Sequence, residues 1–143
     1  MGYAPPEELH KYHAVAGYNS RIEFIKPGWI EDVAEELRGC YALVHAARSD
    51  AAPRVLFEAM ACGKPIVSTR TNGGMDYVRD GTTGFLCEIE DVEGLAGAMD
   101  RLLSNPDLAC LFGQAGRRLL QHEFSEDAYV SSFLSMVKQV ITA

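Results

Sequence analysis

Two carboxylates eight positions apart, Asp50 and Glu58, have the type and spacing to do chemistry together. Pro53 lies between them and favours the first position of a helix. At 3.6 residues per turn Glu58 then falls about a turn and a half into that helix, and Asp50 lies ahead of its N-terminus. The amides of Arg54 and Val55 belong to the set that a helix start leaves without intrahelical partners, and such amides favour an anion. Carboxylates accept hydrogen bonds from hydroxyls, so acids and amides together suit a polyhydroxylated ligand that carries phosphate. The same residues also read as two solvated helix-start acids near the positive end of a macrodipole.

The segments around this pair place it at a strand end. Residues 41–44 (YALV) form a short apolar run, as expected of a parallel strand covered on both faces. A polar loop, 45–52, follows it. Val55, Leu56, Ala59 and Met60 recur at helical spacing, Gly63 suits a left-handed helix end, and Pro65 prevents continuation. Residues 65–69 (PIVST) are a second strand, which empties into Asn72-Gly73-Gly74. Both acids and the amides therefore sit at the carboxyl ends of strands, where open α/β sheets bind ligands.

The flanking chain supplies the rest of such a fold. Residues 7–16 read as a short helix, 17–20 as a turn, 21–25 as an alternating strand, and 31–38 as a helix ending at Gly39. Residues 75–79 make one helical turn, Asp80-Gly81 a turn, and 85–89 a further strand. Asp91 is the candidate N-cap of a helix carrying Leu95, Met99, Leu102 and Leu103. Asn105-Pro106 ends it and starts another, over 107–121. Ser125 or Asp127 opens the last helix, whose stripe of Tyr129, Phe133, Met136, Val137 and Val140 reads as core packing. Strands alternating with helices predict an α/β fold, a Rossmann-like, doubly wound parallel sheet in a single domain over 1–143.

The 143 residues are 48% apolar and 23% charged with a net charge of −7, which suits one soluble domain and speaks against a nucleic-acid surface. Cys40, Cys62, Cys87 and Cys110 are widely spaced without a C-x-x-C, and read as buried free thiols rather than zinc ligands or a redox pair. With no transmembrane-length apolar run and no signal-peptide pattern in these residues, the expected location is cytoplasmic.

Asp50-x7-Glu58, together with residues 53–65 (PRVLFEAMACGKP), resembles the Glu-x7-Glu signature of retaining GT-B glycosyltransferases of family four, the glycosyl transferases group 1. Gly73-Gly74 and residues 78–86 (VRDGTTGFL) are similar to the stretch that follows in that family, and the likeness runs from about Glu7 to the end. It implies the C-terminal, donor-binding half of a GT-B fold and a nucleotide-sugar as donor of a hexose. By position, Asp50 would hydrogen-bond hydroxyls of the transferred sugar and Glu58 would hold the nucleotide ribose. The amides around Ala52, Arg54 and Val55 would face sugar and phosphates, Pro53 having none to give. Gly73 and Gly74 would permit close backbone approach at the rim. Trp29 falls near the base, where it would stack, or else simply pack. No metal or other cofactor is required, and no D-x-D is present.

The chain departs from the family pattern in three ways. Asp50 is one methylene shorter than the usual Glu, and Asp76 likewise replaces a usual Glu. Ala46-Ala47 stand where Pro-Ser is common. Gly2-Tyr3-Ala4-Pro5 resembles a turn that normally sits well inside the domain, so the resemblance implies an N-terminally incomplete domain. It would lack the first strand and helix, the Arg/Lys pair that clamps the diphosphate, and the amino-terminal acceptor domain, through which peripheral membrane contact would come and toward which the last helix leans, so that part of its stripe would be exposed. Alone, such a chain would not turn over. His45 reads as packed or solvated, with action near the sugar as the alternative. Arg48 and Arg54 are either aids to phosphate binding or bystanders, and Arg70 and Lys64 read as solvated. Two competing readings are a degenerate, non-catalytic module that binds a nucleotide or a protein, and a nucleotide-sugar epimerase on the same fold.

Overall fold

Among the described residues, Ile66–Thr69 (β2) is the middle strand of a three-stranded parallel sheet, flanked by Leu43–His45 (β1) and Gly84–Cys87 (β3) in the order β1-β2-β3. The computed structural model describes residues 30–141, and those from Asp32 onward belong to one unit. The segments expected over 7–16 and 21–25, and Trp29, lie outside the described residues. In register, Val44 faces Val67 and His45 faces Ser68 on one side, while Val67 faces Phe85 and Thr69 faces Cys87 on the other.

Every residue of β2 is buried, because helices cover both faces of the sheet. Successive side chains of a strand point to opposite faces, and the two cores follow that alternation. Ile66 joins Leu37, Leu56, Ala59, Met60 and Val78, beneath α1 (Val33–Gly39) and α2 (Arg54–Ala61). Val67 joins Phe85, Cys87, Ala98, Leu102, Ala109 and Phe112, beneath α4 (Val92–Leu103) and α5 (Pro106–Glu123). This is the doubly wound arrangement expected from the alternation of strands and helices. A third cluster, in which Phe57, Tyr77 and Phe124 have ring centroids 4.2 to 5.5 Å apart, ties α2 to α3 (Asn72–Tyr77) and to the end of α5.

The helix starts follow capping chemistry. Asp32 accepts from the Glu35 amide, Thr71 from Gly74, Asp91 from Gly94 and Asn105 from Leu108. Ser125 accepts from Ala128 and opens α6 (Glu126–Ile141). α2 is different: its N-cap is Pro53 and no side chain caps it. At its other end Gly63 takes the left-handed φ of 66° that the sequence foretells, and α5 packs so closely there that a Cβ on Gly113 would strike the Gly63 carbonyl.

Several expectations need correction. β1 begins at Leu43 rather than Tyr41 and is not covered on both faces, since Tyr41 and Val44 are exposed. Tyr41 instead reaches sideways, its hydroxyl donating to the Leu102 carbonyl at 2.8 Å. α3 starts at Asn72, three residues early, because the Thr71 hydroxyl caps it ahead of the glycine pair. α6 has no buried residue, so its apolar stripe is not core among the described residues. Of the four thiols, only Cys87 is buried, and Cys110, on the outer side of α5, is exposed.

Candidate functional site

The segment between β1 and α2 leaves the carboxyl edge of the sheet and is tied down by residues at the carboxyl end of β2. The Thr69 hydroxyl, itself buried, lies 2.6 Å from the Ala47 carbonyl and 3.3 Å from that of His45. The amide of Gly73 donates to the Asp50 carbonyl at 3.0 Å. Gly73 and Gly74 are both buried. A Cβ on Gly73 would strike the Pro53 ring and the Ala51 carbonyl, and one on Gly74 would strike the Thr69 carbonyl. The close backbone approach expected of this pair is therefore made to the chain's own loop, and through it the glycines set the position of Asp50.

The Asp50 side chain, 35% exposed, is held at both oxygens. Oδ1 accepts from the Ala52 amide at 3.1 Å, the local turn that Asp favours. The Ala52 amide, expected to face a ligand, is thus engaged with Asp50. Oδ2 lies 3.2 Å from Nε2 of His45, and Nδ1 of the same ring lies 3.3 Å from Ser68 Oγ. Each carboxylate oxygen keeps lone-pair capacity for further donors. Just beyond lies the first turn of α2, where Leu56 donates to the Pro53 carbonyl and, among the described residues, no side chain caps the helix start that carries the amides of Arg54 and Val55.

Glu58, four residues after Arg54 on the same side of α2, is half-exposed and makes a loose 3.8 Å pair with Arg54, whose own side chain is almost fully in solvent. Such a pair is weak and easily opened. Among the described residues, the other cations near this edge are engaged. Arg48 pairs with Glu90 at 2.9 Å, and Arg70 bridges Asp80 and Glu88 at 3.0 Å each. Lys64 lies away from it, donating to the Arg38 carbonyl. Arg70 and Lys64, expected to be solvated, are in fact partnered. His45, read as packed or solvated, is packed, and what the sequence reading missed is its contact with Asp50. No motif marks it, because its contact with Asp50 depends on the path of the loop and not on a spacing along one element.

An open parallel sheet wound on both sides, with acids and an uncapped helix start at its carboxyl edge, defines a Rossmann-like unit. Solved structures share it. The structure of Anabaena Alr3699/HepE in complex with UDP superposes with a TM-score of 0.77 at 22% identity, over 96% of this chain and 36% of that one. TarM superposes with a TM-score of 0.81 at 21% identity, over 93% and 26%. The fold is that of a GT-B glycosyltransferase domain. Residues 4–119 match the family Glycosyl transferases group 1, and the chain belongs to that family. Among curated relatives it is similar to the lipopolysaccharide core biosynthesis glycosyltransferase LpsE of Rhizobium meliloti (strain 1021), 29% identical over 92% of this chain and 38% of the relative. It is also similar to the N-acetyl-alpha-D-glucosaminyl L-malate synthase of Bacillus anthracis, 31% identical over 85% and 31%. The chain thus matches about a third of the length of these relatives. Among the described residues no helix is long and apolar enough to cross a membrane.

Proposed function

We propose that this chain is the donor-binding part of a retaining glycosyltransferase that moves a hexose from a nucleotide-sugar to an acceptor. The observation that carries the reading is the Asp50 carboxylate, held at both oxygens yet partly open, immediately ahead of the uncapped start of α2. On this reading Asp50 accepts from sugar hydroxyls, Glu58 swings from Arg54 to hold the ribose, and the amides of Arg54 and Val55 face the diphosphate. Fixed donors at a helix start stabilise the charge that grows on the departing phosphate, and no metal is required by the chemistry. That HepE is solved with UDP and with UDP-glucose supports a nucleotide-sugar partner. The four free thiols suit a cytoplasmic location.

Transfer also needs an acceptor held against the donor. The reading assigns that task to a second, amino-terminal domain, which would also carry any contact with a membrane surface. The 143-residue chain alone is then expected to show no turnover. Transfer by it at rates near those of ordinary enzymes, on the order of 10 per second, would overturn that point.

The test is a thermal-shift panel with UDP-glucose, GDP-mannose and ADP-glucose and the matching free diphosphates. One nucleotide class should stabilise the chain, with an added increment from the sugar. Asp50→Ala should lose the increment, and Glu58→Ala should lose the response to the diphosphate as well. A flat panel sinks the proposal and favours the degenerate, non-catalytic module.

A further inference from the structure

The two donors that hold Asp50 differ in kind. The Ala52 amide is local, a turn within two residues. The His45 contact comes from the end of β1, and the histidine is itself anchored to Ser68, its register partner on β2. The His45 side chain is only 12% exposed and Ser68 is fully buried. Proton arithmetic along this chain selects one tautomer. An ionised carboxylate only accepts, so Nε2 must carry a hydrogen to bond Asp50. In the neutral ring Nδ1 is then an acceptor, and the Ser68 hydroxyl is a donor within reach. That hydroxyl also lies 3.1 Å from the Thr69 carbonyl, but the same carbonyl receives the Thr71 amide at 2.8 Å. Turning the hydroxyl to His45 therefore leaves no buried acceptor unpaired. Because Ser68 is closed to solvent, Ser68, His45 and Asp50 do not form a nucleophile with its base. They form a bracket.

We infer that His45 is a positioning residue of the donor-sugar site. Through Nε2–H it fixes the direction of the Asp50 carboxylate, so that the remaining lone pairs of both oxygens face the ligand. The inference rests on the assignment of Asp50 to sugar hydroxyls. Holding the carboxylate before the ligand arrives removes an ordering cost from binding, and it offers a reason why the shorter acid suffices here. A shorter side chain has one torsion fewer, and the ring supplies the support.

The probe is whichever of UDP-glucose, GDP-mannose or ADP-glucose stabilises the chain in the panel above, with its free diphosphate as control, by titration calorimetry. His45→Leu keeps bulk and removes the donor, and should weaken the nucleotide-sugar by up to about tenfold, the cost of ordering the freed Asp50 side chain on binding. The diphosphate should bind unchanged. His45→Gln puts an amide N–H near the place of Nε2 and should restore most of the loss. His45→Asn can meet Ser68 but cannot reach Asp50, and serves in place of the leucine variant should that one not fold. Two-bond proton–nitrogen spectra should show the Nε2–H tautomer in the parent chain. Unchanged sugar affinity in the leucine or asparagine variant overturns the inference. So does an equal loss for sugar and diphosphate, a glutamine variant no better than asparagine, or an Nδ1–H tautomer. A parent chain that binds none of the three nucleotide-sugars, with the Nε2–H tautomer still seen, sinks the assignment of Asp50 and the positioning role with it.

Discussion

α2 and α6 carry the same kind of sequence pattern, apolar residues at helical spacing on one side, and the two helices end up in opposite settings. In α2, Leu56, Ala59 and Met60 are wholly buried against β2 and α1. In α6, Tyr129 is 72% exposed, Val140 74%, and no residue is buried. A period near 3.6 states that one side of a helix is apolar. It does not state what lies opposite. α2 sits in a crossover between paired strands, so topology presses its apolar side onto the sheet. α6 follows Phe124, and among the described residues it meets the fold at its first turns, where Tyr129 and Ser132 line a groove with Phe57, Tyr77 and Phe124. Contiguous exposed apolar surface of this kind is unusual on a soluble domain.

Substitution energies are the direct way to break this comparison. Leu56→Ala should lower the stability to urea by about 3 kcal/mol, the transfer loss plus the cavity it leaves. Phe133→Ala, the same truncation of a large apolar side chain in α6, should change it by less than about 1 kcal/mol. A Phe133 variant as damaging as the Leu56 variant would mean that the stripe is covered in solution, and the contrast between the helices would vanish.

The thiols sharpen the same division between covered and open surface. Burial raises the pKa of Cys87 above the ordinary thiol value, with Asp91 and Asp80 adding to the effect. Burial likewise raises that of Cys40, against the pull of Lys64. Above the ordinary thiol pKa the unfolded chain has released protons that the folded chain retains. The stabilising contribution is therefore complete below about pH 8.5 and is lost as the pH rises through that value towards the folded pKa. Urea midpoints measured from pH 7.5 to 10 should fall, and fall less in Cys87→Ala relative to its own value at pH 7.5. A thiol reagent at pH 8 should reach exposed Cys110 well before Cys87; equal rates would mean that the β3 face opens readily. The smallest effect belongs to the surface pair Arg48–Glu90, whose side chains are mostly in solvent. Arg48→Ala should cost about 0.5 kcal/mol or less, and nothing measurable in high salt.

Much of the fold was legible because its signals are local. Gly63 and Pro65 mark the end of α2, Asp91 and Asn105 cap where their types and spacing say, and the run IVST is buried on both sides as its composition implies. Boundaries moved where a neighbour one or two residues away offered a better bond, as Thr71 does in starting α3 ahead of Gly73. The candidate site was legible at Asp50, Glu58 and the amides of α2, since all of them lie on one loop and one helix. His45 was not. Its role depends on a loop that doubles back over five residues and on Ser68 in another strand, and neither distance is encoded in local spacing. The glycine pair was found but its neighbours were not, because which backbone approaches a missing Cβ is settled by packing.

The sequence by itself thus determined most of the secondary elements among the described residues, the parallel doubly wound architecture and the family, through turn residues, caps, hydrophobic period and a dense motif. Tertiary structure alone decided that Asp50 is gripped by His45 and Ala52, that Gly73 and Gly74 clasp the chain's own loop, and how much of the α6 stripe stays open. The physical reason is common to all three. Conformation is set by interactions between near neighbours in the chain, whereas hydrogen-bond partners and burial are set by whatever the completed fold brings opposite.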